Sequence, residues 1–206
     1  MPTFSYSKNR YFGLKKMKFL VVVIFGLSCS SLKNHSMLSV AGCMNKSKPI
    51  YLLPFPVGTS YYLLQGNCGK HSHFGKEKFA YDFRMPVGSV ITAMRSGKVV
   101  NLQERFIDGT NNNDSLNFII ILHDDSTASR YLHITQNGAL VRRGEYVNAG
   151  DTIGLSGNSG LSTEPHLHVD VTGYCTHSPC QTLPFSFMNC TTSFPVQGKK
   201  YLAIPL

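Results

Sequence analysis

The chain has 206 residues, 42% of them hydrophobic and 15% charged, and a formal net charge of +9. That length suits one domain with a full core and a short appendage, its 18 Gly and 10 Pro are too few for a low-complexity chain, and no apolar run reaches the ~18 residues of a membrane-spanning helix. Lys8, Arg10, Lys15, Lys16, Lys18, Lys33, Lys46 and Lys48 fall in the first 50 residues with no acid among them, so 12 cations and all 11 acids lie beyond. The remainder is close to neutral and carries no stripe of basic and aromatic residues, which excludes a nucleic-acid binder.

Lys15, Lys16 and Lys18 precede the apolar run 19–27, which is too short to span a bilayer and reads as an export signal, with Met17 as an alternative start. Two cysteines are candidates for a lipidated N-terminus: Cys29 directly after the apolar run, and Cys43 after Val40-Ala41-Gly42, which is similar to a bacterial lipobox. Residues 1–49 are therefore expected to be a leader and its basic flank, on a protein exported to the cell envelope. Cleavage before Cys43 would leave Cys68, Cys175, Cys180 and Cys190, an even set that permits three pairings. An oxidising compartment makes disulfides the expectation for the C-terminal cysteines. A metal site on Cys175, His177 and Cys180 has looser spacing and no second ligand pair.

From residue 50 onward, short apolar segments are broken by Gly, Asn, Asp or Pro. Strands are predicted at 89–94, 98–102, 117–122, 129–133 and 145–147, with turns at Gly97, Gly138, Gly144, Gly150 and Gly157. Segment 108–115 is polar throughout and reads as a solvated loop, and 154–160 as a strand followed by a turn rather than a phosphate loop. No window keeps a helical period. The expected fold is all-β, an antiparallel sheet in a sandwich or barrel-like arrangement with long surface loops. After Tyr174 the chain carries three of its six cysteines, so 175–206 is read as a stapled extension with a last strand near 200–204.

The chemistry concentrates in three places. On a strand over 165–171, His166, His168 and Asp170 share one face while Leu167, Val169 and Val171 share the other. Asp170 there is in reach of a histidine, although a solvent-facing carboxylate is the plainer expectation. Upstream, His73 precedes Asp82, which sits in an apolar stretch where a buried carboxylate is costly unless paired or metal-bound. Between them, Tyr131 and His133 are predicted to form a polar pair on one strand face. There is no G-x-S-x-G, H-E-x-x-H or P-loop.

The segments HSHFGKEKFAYDFRMPVGS, SRYLHI and GDTIGLSGNSGLSTEPHLHVDV, in that order, resemble the lysostaphin/LytM-type zinc metallopeptidases, bacterial enzymes that cut peptidoglycan peptides. The resemblance covers roughly residues 50–174, which it marks as the peptidase domain. It implies one Zn²⁺ held by His73, Asp82 and His168, leaving an open position of the kind that catalytic zinc sites keep. It implies His133 and His166 as the catalytic imidazoles, with Tyr131 and Asp170 as supporting residues behind the ligands. The implied substrate is a peptidoglycan stem or cross-link peptide. Two departures matter. Many members place the first His four residues before the Asp, where this chain has Lys78; Ser72-His73-Phe74-Gly75 fits a branch with a longer loop, and favours His73 over His71. Glu164 stands where a small residue is common. Relatives that have lost their ligands act as non-catalytic peptidoglycan-binding or activator modules, the alternative function for this fold.

Overall fold

The computed structural model describes residues 50–175 and 180–206. The leader, the basic flank, Cys29, Cys43 and His177 lie outside the described residues.

Eleven strands run in chain order among the described residues: β1 (Ser60–Gln65), β2 (Ala80–Arg84), β3 (Val90–Thr92), β4 (Gly97–Gln103), β5 (Phe118–Leu122), β6 (Thr127–Leu132), β7 (Ile134–Ala139), β8 (Tyr146–Val147), β9 (Thr152–Ser156), β10 (Leu167–Gly173) and β11 (Lys200–Leu202). Eight of them form an antiparallel sheet in the order β11-β1-β2-β10-β6-β5-β4-β8, and three form a second sheet in the order β3-β9-β7. The fold is all-β, an open sheet sandwich rather than a closed barrel.

Strand alternation divides the large sheet into a core face and a site face. Register pairs Val169 with Tyr81 and Tyr131, and Tyr131 with Ile119, on the core face. These residues join Ile91, Ile134 and Ile153 from the smaller sheet and its approaches in one apolar cluster. One residue out of step, the register pairs His168 with Asp82 and Leu132, and Asp170 with Arg130, on the opposite face. The C-terminal segment closes the core from below: Phe185 and Phe187 are fully buried, with ring centroids 5.3 and 5.0 Å from Tyr81.

Three strands were not predicted, β1, β2 and β7, and β9 starts two residues before the strand-and-turn segment read at 154–160. In β1 the run Tyr61-Tyr62-Leu63-Leu64 has no apolar alternation to read, and β2 has four successive buried residues. Gly97 and Gly138 were expected in turns but lie inside β4 and β7. At Gly97 the reason is close approach, since a Cβ there would overlap the Leu122 carbonyl and Ile121 on β5. In the tail, Cys175 is bonded to Cys180, which removes both as metal ligands, and Cys190 is a free thiol.

Candidate active site

Two adjacent strands and one loop bring three ligand-type side chains together. Asp82 on β2 and His168 on β10 face each other in direct register, and their Oδ1 and Nδ1 atoms are 2.8 Å apart. His73 arrives from the loop between β1 and β2. Its Nδ1 lies 2.9 Å from the Gly66 carbonyl, which can only accept, so Nδ1 carries the proton and Nε2 is a bare lone pair. In the neutral ring that Nε2, 3.1 Å from Asp82 Oδ2 and fully buried, has no hydrogen-bond partner. The ligand atoms of His73, Asp82 and His168 all lie within 4.8 Å of one another. His71 is exposed at the surface of the same loop.

Behind His168, the expectation of a solvent-facing Asp170 is corrected. Asp170 is 0% exposed; it accepts from His168 Nε2 at 3.0 Å and from Arg130 Nε and Nη2 at 2.7 Å each. The register that sets Asp170 opposite Arg130 makes this fork possible. Tyr131 is also corrected. It lies on the core face, where its hydroxyl accepts from the Met94 N–H at 2.6 Å and bonds Ser129 Oγ at 3.2 Å, so it supports the core and not the cluster.

His133 does not share a strand face with Tyr131. It follows β6 at φ +66°, a left-handed conformation that is costly for a non-glycine residue. Plain alternation would send it to the core beside Tyr131; the reversal turns it onto the site face, with its ring centroid 4.6 Å from His166 and 6.2 Å from His168. Surrounding bonds hold the reversal in place. The His133 N–H donates to the Asn117 carbonyl at 3.0 Å and its Nδ1–H to the Ser159 carbonyl at 2.7 Å. Buried Asn117 also donates to the carbonyls of Phe106 and Ile134, and Ser159 Oγ donates to Ile134. His166 has the same polarity: Nδ1 donates to the Glu164 carbonyl at 2.8 Å, with Ser162 Oγ at 3.1 Å, and Nε2 is 4.0 Å from Asp82 Oδ1. Both imidazoles thus fix their proton on Nδ1 and turn an accepting Nε2 toward the cluster.

Residues 76–179, half of the chain, match the model of peptidase family M23. The chain belongs to that family. Three curated relatives bear on it: the Vibrio cholerae peptidoglycan DD-endopeptidase ShyA, 37% identical over 44% of this chain and 19% of its own length; lysostaphin of Staphylococcus simulans, 31% identical over 69% of this chain and 22% of its own length; and the glycyl-glycine endopeptidase ALE-1 of Staphylococcus capitis, 31% identical over 79% and 35%. The matched segments span about a fifth of the first two proteins and a third of the last. The family match begins at residue 76, just after His73.

Charge in this M23 site follows from burial and the carboxylates. Burial opposes charge on both Asp82 and Asp170. The hydrogen bond and positive charge of His168 nevertheless hold Asp82 well below the usual range, and the Arg130 guanidinium, then His168, lower Asp170. Burial also disfavours charge on His168, but Asp170 and Asp82 outweigh it and raise the imidazole to about 10. His133 goes the other way: burial, then neighbouring His166 and His168, push it down to about 3, so it is neutral at physiological pH.

The donor set fits a zinc ion. Two nitrogens and one carboxylate oxygen converge, and each ligand imidazole donates its remote N–H to a carbonyl or carboxylate, the arrangement that fixes a metal-binding tautomer. The stranded His73 lone pair beside a carboxylate calls for a cation. The cluster sits in a groove of about 1090 Å³ with half-buried Phe118, Ile120 and Leu132 on its floor and Leu161 and Glu164 on one wall. Sequence reasoning passed over Arg130, Asn117, Ser159 and Gln65. Arg130 left the plainest trace, as a lone cation in an otherwise uncharged strand.

Proposed function

We propose that this M23 domain is a zinc-dependent metalloendopeptidase that hydrolyses peptide bonds of peptidoglycan, with His73, Asp82 and His168 as ligands of one Zn²⁺ and His133 and His166 as the catalytic imidazoles. The observation that carries the reading is the buried, unpartnered His73 Nε2 facing Asp82 within reach of His168. When bound, the ion supplies a Lewis acid that polarises the scissile carbonyl and eases ionisation of water. The protein does the rest. Asp170 and Arg130 orient His168, and Gly66 orients His73. One of His133 and His166 accepts a proton at Nε2 and delivers it to the leaving amine, its Nδ1–H staying on the backbone carbonyl throughout. The other, carrying at Nε2 a second proton taken up from solvent before the reaction, donates to the developing oxyanion and keeps that proton when the carbonyl re-forms.

The groove accommodates an extended peptide, and the endopeptidase names of the relatives favour cell-wall peptide as its class. In this reading the protein works outside the cytoplasmic membrane, in the envelope or secreted, with Cys29 or Cys43 as the lipid attachment point. Metal analysis combined with digestion of purified cell walls, read by mass spectrometry, tests it. About one zinc per chain and fragment release that stops on chelation are expected. His166→Ala should keep the metal and lose ~10²–10⁴-fold in rate. A chain that holds no metal, or cleavage that survives His168→Ala, overturns the reading. Binding to walls without release of fragments would instead favour a non-catalytic module.

A further inference from the structure

Two of the three ligand side chains are oriented from one place outside the ligand set, the end of β1. Pairing between β1 and β2 runs Leu63 with Phe83 and then Gln65 with Asp82, a bulge that skips Leu64 and aims Gln65 onto the site face. Gln65 is 5% exposed. Its Nε2 donates to Asp82 Oδ2 at 3.1 Å and to Ser72 Oγ at 2.8 Å, and its Oε1 accepts from the backbone N–H of His71 at 2.9 Å and of Ser72 at 3.1 Å. The next residue, Gly66, accepts from His73 Nδ1. Every polar hydrogen and the oxygen of the Gln65 amide are therefore in use, on the two elements that carry His73 and Asp82.

The chain is shaped around this side chain. Gly69 lies against it so closely that a Cβ there would overlap Gln65 Cγ, Cδ and Oε1. The amide thereby ties the loop to β2 at the ligands themselves, beside the Asn67–Tyr81 and Cys68–Lys78 bonds farther along the loop.

We propose that Gln65 is a positioning residue for the metal site. It holds the Asp82 carboxylate through Oδ2 and, by gripping residues 71 and 72, fixes the distance of His73 from it. The inference rests on the metal-site reading above. An amide suits the role because it donates to the carboxylate without adding charge to the ligand set; a glutamate would repel Asp82, and a leucine would fill the space with no donor.

The test is zinc affinity of the full chain, measured by competition with a chromophoric chelator, together with the visible absorption of the cobalt(II)-substituted protein. Gln65→Leu is expected to weaken zinc binding ~10–100-fold, as loss of a ligand's supporting hydrogen bond does elsewhere, and to shift the cobalt bands. Gly69→Ala, which leaves the amide intact but displaces it, should change both readouts in the same direction. A merely structural residue would lower the unfolding temperature and leave affinity and spectrum alone. The inference is overturned when Gln65→Leu folds and holds zinc within about twofold of the wild type with an unchanged spectrum. Should that variant fail to fold, Gly69→Ala decides on the same readouts. A wild-type chain that holds no zinc overturns the metal-site reading as well, whereas tight binding by wild type and variants alike overturns this inference alone.

Discussion

The two sides of the candidate site are held by different means. His168 sits in the middle of an eight-stranded sheet, between β2 and β6, and each of its ring nitrogens meets a carboxylate. Its position follows from strand register, and its environment is a buried chain from Arg130 through Asp170 to Asp82. His73 sits on a loop with no ladder bonds of its own, and its outward nitrogen meets no partner. The strand side is complete without a metal, with a proton on His168 Nδ1 where the ligand bond would form. The loop side is incomplete, with a lone pair directed at an anion. The cluster thus gains most from a cation on the side that the sheet supports least.

The sharpest break of this comparison is between the two histidines as alanine variants. Both should lose zinc binding, measured by metal content after dialysis. His168→Ala should also cost stability in the metal-free state, about 3–5 kcal/mol by urea unfolding, because it strips Asp82 and Asp170 of a buried donor. His73→Ala strands no buried charge, removing one neutral donor to the Gly66 carbonyl and a nitrogen that had no partner, and should cost clearly less.

Arg130 gives the next largest effect. Arg130→Met leaves Asp170 charged and buried, which should cost about 3–5 kcal/mol in unfolding measurements. Pairing it with Asp170→Leu removes the stranded charge and should recover most of the stability. It should not recover zinc affinity, which is expected to stay ~10–100-fold down because His168 Nε2–H has lost its acceptor. Recovery of both would reduce the ion pair to a packing device.

Protonation separates the strand-side His168 from neighbouring His133 by pH in the metal-free chain. His168 is raised from 6.5 to about 10, so the native state keeps a proton that the unfolded chain sheds above 6.5. Its contribution to stability is complete below 6.5 and is lost as pH rises through about 10. His133 is lowered from 6.5 to about 3, so the unfolded chain binds the proton first. Its contribution is complete above 6.5 and is lost as pH falls toward about 3. Denaturant unfolding in the presence of chelator should show both limbs. Zinc, which replaces the His168 Nδ1 proton, should flatten the alkaline one.

How much of this could be read from the sequence follows the same division. The alternation in Pro165-His-Leu-His-Val-Asp-Val171 states which residues share a face of β10, because a strand's period is fixed by its geometry. The same rule fails at His133, where one residue at positive φ reverses the side chain, and a reversal of that kind has no composition signal outside glycine and asparagine. Asp170 looked solvent-facing because its partner Arg130 is 40 residues away and only the β6–β10 register joins them. Gln65 was hidden by a bulge. The nearest signal was the pair of glycines, Gly66 and Gly69, beside an amide ahead of His73; they mark a tight wrap around a side chain but do not say which ligand it serves.

The smallest predicted effect concerns Glu164, one of the two positions where the chain departs from the common pattern of the family. Its side chain reaches Arg84 on β2 across the groove rim, 2.8 Å from Nη2, but both partners are about half exposed, at 54% and 44%. Solvent screening and the entropy of fixing two long side chains hold such pairs to ~0–1 kcal/mol. What His166 depends on is the Glu164 carbonyl, which accepts its Nδ1–H and which any residue supplies. Glu164→Ala should therefore leave zinc affinity unchanged and shift unfolding by less than ~1 kcal/mol, with the small loss disappearing in high salt. Its expected consequence is confined to the Michaelis constant for wall fragments that meet the rim, since the carboxylate lines the groove wall. A fall in turnover instead would mean that the Arg84–Glu164 bridge sets the path of the loop carrying His166, and would place a rim contact in the same class as the Gln65 bracket on the opposite side.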